Sequence, residues 1–286
     1  MSSQQQKLTE AGTSRYVQVG PVRVHYNEAG SGPPLICIHG GGPAAAGWRH
    51  YYRNIEALSE HFQTLLVDLP GAGKSDRPTF EGSRFTFITR VLDEIMEALG
   101  IETASFLGWS AGARTVLKFA AAYPNRVRRL VAVGTGAEFD AFSPRPTMGQ
   151  RRVGAVSKPS GLTFNALKDF VQVMVFDTKR ASDEEWKGLL DDWHLAATAE
   201  AAERSAGSAG PSSDHDLYFD LPKVSQEALL IWGRDDYMGT GQPGFLMLQR
   251  MPNAEMHVFS RCGHWVQWEK AEEFNRLVIG FLRGTV

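Results

Sequence analysis

Between an apolar stretch, Thr103 to Leu107, and a helix-like run, Arg114 to Ala122, stand the five residues Gly108-Trp109-Ser110-Ala111-Gly112. In that setting a G-x-S-x-G sequence predicts a sharp strand-to-helix turn, because glycines two before and two after the serine let strand and helix come close. The serine hydroxyl is then pushed out at the carboxyl end of a sheet. The pentapeptide also occurs by chance, so its weight depends on the residues further along the chain.

A serine nucleophile needs a base to take its proton, an acid to hold that base in the right tautomer, and donors for the oxyanion. The base candidate is His264, within Ser260-Arg261-Cys262-Gly263-His264-Trp265, a turn after the apolar run Met256 to Phe259. The acid candidate is Asp236 or Asp235, just past the strand-like run Ala228 to Trp232. Oxyanion donors would be the Ala111 N–H and an N–H from His39-Gly40-Gly41-Gly42-Pro43, the turn after Leu35 to Ile38. Taken singly, each feature has an ordinary structural explanation. A histidine in a turn usually packs, paired aspartates usually cap or form Asx-turns, and a Gly-Gly-Gly-Pro run is usually a loop. Together they fall at four consecutive strand ends, with the order Ser…Asp…His, on the sheet edge where open α/β folds bind ligands. That pattern points to hydrolysis by acyl transfer.

Short strand-like runs, Tyr16 to Val19, Val22 to Tyr26, Leu35 to Ile38 and Thr64 to Val67, lead into alternating strand and helix patterns. The alternation predicts an α/β fold with a mostly parallel sheet flanked by helices on both faces. Asp68 to Asp76 looks like a phosphate loop but lacks the Gly-x-x-x-x-Gly-Lys-Ser spacing, so it reads as a turn leading to a helix. After the strand Leu130 to Val133 the rhythm stops. Phe139 to Leu221 is helical and loop-like, with Pro144, Pro146 and Pro159 early and an Ala/Ser/Gly-rich stretch, Ala196 to Ser213, late. The rhythm resumes at Ala228. The division expected is a core domain, 1–138 and 222–286, carrying a helical lid at 139–221.

A chain of 286 residues is long enough for one such domain with an insertion. A net charge of −2 leaves no electrostatic footprint for nucleic acid. Cys37 reads as a strand residue and Cys262 lies beside the candidate base, so no disulfide framework is expected. The first seven residues lack the apolar core of a signal peptide and no apolar stretch is long enough to span a bilayer. A cytoplasmic protein with no membrane partner is therefore expected. The eight histidines are scattered without zinc-like spacing, so neither a metal nor another cofactor is expected. The expected partner is a small-molecule substrate, and a homo-oligomer is compatible with the chain.

Several segments resemble the meta-cleavage product hydrolases: His39-Gly40-Gly41-Gly42-Pro43 with Gly47-Trp48, Leu69-Pro70-Gly71 with Lys74-Ser75-Asp76, Trp232 to Asp236, and Cys262 to Glu269. That family has the α/β-hydrolase fold and hydrolyses a carbon–carbon bond in vinylogous 1,5-diketones from ring-opened aromatics. The likeness runs from about Val24 to the carboxyl end and thins across the lid. It implies Ser110 as nucleophile, His264 as base, Asp236 rather than Asp235 as acid, and Gly42 and Ala111 as oxyanion donors. It implies substrate contacts at Gly41, Trp109, Met174, Leu189 and Trp265, the last a pocket wall.

The departures lie at the acid-binding end. The family's elbow asparagine, which hydrogen-bonds substrate, is Trp109 here. Counting from Phe176-Asp177-Thr178 puts Leu189 where the family has a carboxylate-binding arginine, and Met174 replaces an aromatic just upstream of that segment. Ala113 and Arg114 are larger than the usual elbow pair. An arginine–carboxylate contact is worth about 1.5–3 kcal/mol, so its loss should hurt dienoate turnover more than ester or lactone turnover. Arg151, Arg152, Arg180 and Arg114 are the arginines that could replace the charge from elsewhere. The expected activity is a serine hydrolase acting on a small apolar or aromatic-derived carbonyl compound. An esterase or lactonase on the same scaffold, and a ligand receptor with no turnover, are the competing readings.

Overall fold

The computed structural model describes residues 8–79, 82–135, 147–156, 161–204 and 217–285. Eight strands form one sheet: β1 Ser14–Val19, β2 Val22–Ala29, β3 Pro34–Ile38, β4 Gln63–Val67, β5 Ala104–Trp109, β6 Val127–Val133, β7 Glu227–Gly233 and β8 Ala254–Phe259. Their spatial order is β1-β2-β4-β3-β5-β6-β7-β8. β1, β2 and β4 pair antiparallel, and from β4 across to β8 every pair is parallel. All six residues of β5 are buried, as expected of a central strand covered by helices on both faces. The pleat sorts β3 cleanly: Ile36 and Ile38 join the core on one face, while Leu35 and Cys37 join the core on the other. The chain has the α/β hydrolase fold.

The observed strands cover the runs expected from the sequence, most of them extended by a few residues, except that β5 begins at Ala104 and leaves out Thr103. The helix expected from Arg114 begins at Ala111, directly after the serine. One expectation needs correcting. The candidate catalytic strand ends are not all neighbours, because β6 stands between β5, which carries Ser110, and β7, which carries the aspartates.

Between β6 and β7 the described chain is helical: Met148–Val156, Phe164–Val173, Asp183–Arg204 and Leu217–Asp220. Pro144, Pro146, Pro159 and residues 205–213 of the Ala196 to Ser213 stretch lie outside the described residues. In the helix Asp183–Arg204, Trp186, Leu190, Trp193 and Ala197 recur at helical spacing and are buried. They join the sheet face that also holds Trp109, Met174 and Trp265. Among the described residues no helix is long and apolar enough to cross a membrane, and no cluster of three or more His, Cys, Asp or Glu is arranged to hold a metal ion.

Candidate active site

Ser110 sits between β5 and the helix Ala111–Ala122 with φ 54° and ψ −117°, a conformation disfavoured for a residue with a Cβ. Two glycines make the turn feasible. A Cβ on Gly108 would collide with the Gly112 carbonyl, and one on Gly112 with the carbonyls of Ile38 and His39. Strand and helix thus close together only because both positions lack side chains, and the turn is tied to the sheet by the Ser110 N–H to the Val133 carbonyl, 2.8 Å. Such strain is held at a site only when the surrounding structure over-determines it.

The glycine-rich turn after β3 passes beside this elbow. A Cβ on Gly41 would stand 3.4 Å from the Ala111 Cβ, so the loop carrying Gly42, at φ 110°, runs next to the first N–H of the helix. Two buried histidines shape the loop. His39 bonds the Gly40 carbonyl through Nδ1 (2.7 Å) and accepts the Leu69 N–H at Nε2 (3.0 Å). His50 accepts the Gly40 N–H at Nδ1, 3.1 Å. Burial, reinforced by the charges of His39, Arg49 and His264, pushes the His50 imidazole well below the ordinary histidine range, so it stays neutral.

His264 follows β8 and faces Asp236, which follows β7. The imidazole Nδ1 and Asp236 Oδ2 are 2.7 Å apart, and both side chains are buried. Asp236 Oδ1 accepts the N–H groups of Met238 (2.6 Å) and Gly239 (3.2 Å), which fixes the carboxylate. A carboxylate only accepts, so Nδ1 carries a proton and Nε2 is the nitrogen left for other partners. Gly134, at the end of β6, makes room for the ring: a Cβ there would lie 3.2 Å from His264 Nδ1. Asp235 does a different job. Its carboxylate accepts the Cys262 N–H (3.3 Å) and its own N–H donates to the Cys262 carbonyl (2.9 Å), bracing the loop that carries His264.

Of the expected substrate contacts, Trp109 lies against His264, its ring 5.3 Å from the imidazole. Trp109 is buried and donates its indole N–H to the His264 carbonyl, 2.9 Å. Its one polar atom is therefore already used, so it can offer a substrate only apolar contact. Met174 is buried and its carbonyl accepts the Trp265 N–H, 2.9 Å. Leu189 is half-buried against the same apolar cluster. Trp265 is fully buried, stacks on Trp268 with ring centroids 5.2 Å apart, and has no partner for its indole N–H. None of the four candidate replacement arginines joins this cluster. Arg151, Arg152 and Arg180 are exposed, Arg152 pairs with Asp169 at 3.2 Å, and Arg114 lies over Phe85.

Three contributors escape the sequence reading. Trp193, four residues past Leu189 on one helix face, is buried beside Trp265 with its indole N–H unpartnered. His50 forms the far side of that group, 4.6 Å from the Trp109 ring and 5.6 Å from Trp193. Glu269 is buried, and its carboxylate accepts N–H groups from Phe176 (3.0 Å), Asp177 (2.8 Å) and Gly263 (2.8 Å). It ties the chain after the helix Phe164–Val173 to the His264 loop.

The alpha/beta hydrolase fold family matches residues 33–271. The chain belongs to that family. Within it, the chain falls among the meta-cleavage product hydrolases. A 2-hydroxy-6-oxononadienedioate/2-hydroxy-6-oxononatrienedioate hydrolase of Paraburkholderia phymatum is 39% identical over 96% of this chain and 97% of its own. A 2-hydroxy-6-oxo-6-phenylhexa-2,4-dienoate hydrolase of Comamonas testosteroni is 36% identical over 97% of this chain and 99% of its own. Among solved structures, the meta-cleavage product hydrolase CumD of Pseudomonas fluorescens superposes with a TM-score of 0.77 at 25% identity, over 95% of this chain and 98% of that one. The protein is accordingly a hydrolase of the serine-nucleophile superfamily.

Proposed function

We propose that Ser110, His264 and Asp236 form the catalytic triad of this hydrolase, with the N–H groups of Gly42 and Ala111 as the oxyanion hole and residues 139–221 as a lid. The observation that carries this reading is the 2.7 Å Asp236–His264 bond, with the carboxylate's second oxygen fixed by backbone, beside a serine held at φ 54°. His264 Nε2 takes the Ser110 proton as Oγ attacks the substrate carbonyl, and Asp236 stabilises the imidazolium. The negative charge that develops on the carbonyl oxygen is met by the two N–H groups. His264 then returns the proton to the leaving group, and water repeats the cycle on the acyl-enzyme. No cofactor is needed for any of these steps.

The relatives' substrates are dienoates with a carboxylate, and a carbon leaving group must first be made tolerable by enol-to-keto tautomerisation. In this chain the expected contact residues Trp109, Met174, Leu189 and Trp265 include no permanently charged group. Burying an unpaired carboxylate there is costly. That observation favours a second reading of the same site, hydrolysis of an uncharged aryl ester or lactone, where the leaving group is already an alkoxide. A panel of kcat/KM values on a ring-fission dienoate, short aryl esters and lactones tests both. Faster turnover of the uncharged substrates supports the ester or lactone reading. Efficient dienoate turnover supports carbon–carbon cleavage and shows that another group holds the acid. Leu189→Arg sharpens the test: it should shift the ratio towards the dienoate by roughly tenfold to a hundredfold, the scale of one charge-assisted contact.

A further inference from the structure

The helices Phe164–Val173 and Asp183–Arg204 pack against each other, and each carries a second stripe besides the apolar face it buries. In the first, Leu167, Phe170 and Val171 are buried, while Phe164, Lys168 and Gln172 recur one turn apart on another side. In the second, Asp183, Trp186, Lys187 and Leu190 fall at spacings of three and four. The two stripes and the connecting segment from Thr178 to Ser182 line a cleft of 790 Å³. That volume lies within the range of small-ligand pockets, about 300–1,000 Å³. None of the lining residues belongs to the proposed triad or oxyanion hole, and none is an expected substrate contact.

The buried part of this lining is apolar and the exposed part is cationic. Trp186 and Leu190 are buried. The indole N–H of Trp186 is spent on the Thr178 carbonyl, so its ring offers the cleft apolar surface alone. Phe164, which is exposed, adds a second aromatic ring. Against these stand three exposed lysines, Lys168, Lys179 and Lys187, and a single carboxylate, Asp183. Neighbouring carboxylates are engaged elsewhere: Asp169 pairs with Arg152 at 3.2 Å and Asp191 with Lys187 at 2.7 Å. The ammonium groups of Lys168 and Lys179 have no carboxylate partner among the described residues.

We propose that this cleft binds an aromatic carboxylate. Two aromatic rings and a leucine suit a flat apolar body, and two unpaired ammonium groups suit one anionic group at its end. The choice of an acid rests on the serine hydrolase reading given above. Water attacks the acyl-enzyme carbonyl, the bond to Ser110 Oγ breaks, and the acyl half leaves as a carboxylic acid, ionised near neutral pH. Cleavage of a dienoate and hydrolysis of an ester both release such an acid. The cleft thus holds a compound of the product class outside the catalytic site, on the helix that also carries Leu189 and Trp193.

Isothermal titration calorimetry of the full chain with benzoate, at low salt and neutral pH, tests the site. The native protein should bind benzoate. Benzyl alcohol, which keeps the ring without the charge, and acetate, which keeps the charge without the ring, should each bind roughly tenfold more weakly. Lys168→Glu/Lys179→Glu should weaken benzoate binding by roughly tenfold or more, and Lys168→Gln/Lys179→Gln by a smaller factor. Both positions are exposed, and matched thermal unfolding curves check that the variants remain folded. Benzoate held in the catalytic site instead would bind both variants as tightly as the native protein. That result, benzyl alcohol bound as tightly as benzoate, or no binding at millimolar benzoate would overturn the proposal. Binding needs no turnover, so the two readings fail separately. A chain that bound benzoate in the cleft yet hydrolysed nothing would keep this site and lose the serine hydrolase reading, and an active enzyme without cleft binding would do the reverse.

Discussion

Among the described residues a complete hydrogen-bonded Ser–His–Asp relay lies away from the proposed catalytic triad, and the two can be compared. Near the antiparallel end of the sheet, Ser14 Oγ lies 2.8 Å from His25 Nε2, and His25 Nδ1 lies 2.8 Å from Asp68 Oδ2. At the carboxyl ends of the parallel strands, His264 and Asp236 repeat the second half of that arrangement at 2.7 Å, and Ser110 is the serine proposed to complete it. The difference lies in what surrounds the serine. Ser14 opens an ordinary edge strand, whereas Ser110 is held in a strained turn beside a glycine-rich loop and a helix N-terminus. On the proposed reading the trio of side chains is insufficient, and the elbow and the proposed oxyanion donors distinguish a reactive serine from a structural one.

Asp68 explains what the other relay is for. Besides His25, its carboxylate accepts the N–H groups of Gly47 (2.7 Å) and Lys74 (2.9 Å), and Gly73 has no room for a Cβ beside it. It therefore fixes the turn after β4 and the start of the helix Gly47–Tyr51, which carries His50. Burial alone would push this carboxyl up, but the bond from His25, the charge of His39 and the Lys74 N–H together hold it below the usual carboxylate range.

The largest effect that separates the relays is on turnover. Ser110→Ala or His264→Ala should lower kcat by about 10⁴-fold or more, with residual rate from the oxyanion hole. Ser14→Ala should leave kcat within about threefold and cost roughly 1 kcal/mol of stability through the lost hydrogen bond. Steady-state kinetics and urea unfolding on the same preparations read both.

The two aspartates should divide in the same way. Asp236→Asn presents the wrong group to the imidazole N–H and should cost about 10⁴-fold in kcat with little change in fold. Asp68→Asn should keep most of kcat but lose about 2–4 kcal/mol, because an amide cannot accept all of these donors. Since the folded pKa of Asp68 is depressed, its ionised form contributes stability that is full above the unfolded value of about 3.9 and fades as pH falls through the folded value. The gap in melting temperature between the native protein and Asp68→Asn should accordingly narrow in acid and stay constant at neutral pH.

Smaller effects should come from the carboxylates that brace the His264 loop. Glu269→Gln turns an amide N–H towards backbone donors and should lower kcat about tenfold to a hundredfold. Asp235→Asn, which keeps an acceptor oxygen for the Cys262 N–H, should cost no more than about threefold. Reversal of the Asp235 and Asp236 ranking in these kinetics would move the acid one residue upstream.

How legible each feature is in the sequence depends on the kind of signal it leaves there. The strands are short apolar runs bounded by turn residues, and the elbow needs two glycines at fixed spacing, so both show in one dimension. Glu269 gives no such signal because its partners are backbone N–H groups, which nearly every residue has. The Ser14–His25–Asp68 relay joins an edge hairpin to a turn forty-three residues from its histidine, a proximity set only by sheet order. Trp109 is legible in part: its place beside the serine is readable, but not that the His264 carbonyl takes its indole N–H.

Labelling with a serine-directed fluorophosphonate, mapped by peptide mass spectrometry, tests most directly whether surroundings rather than the trio make a serine reactive. The native protein should take up one label per chain, at Ser110, and Ser110→Ala should take up none. Label on Ser14, or label retained by Ser110→Ala, would contradict the account.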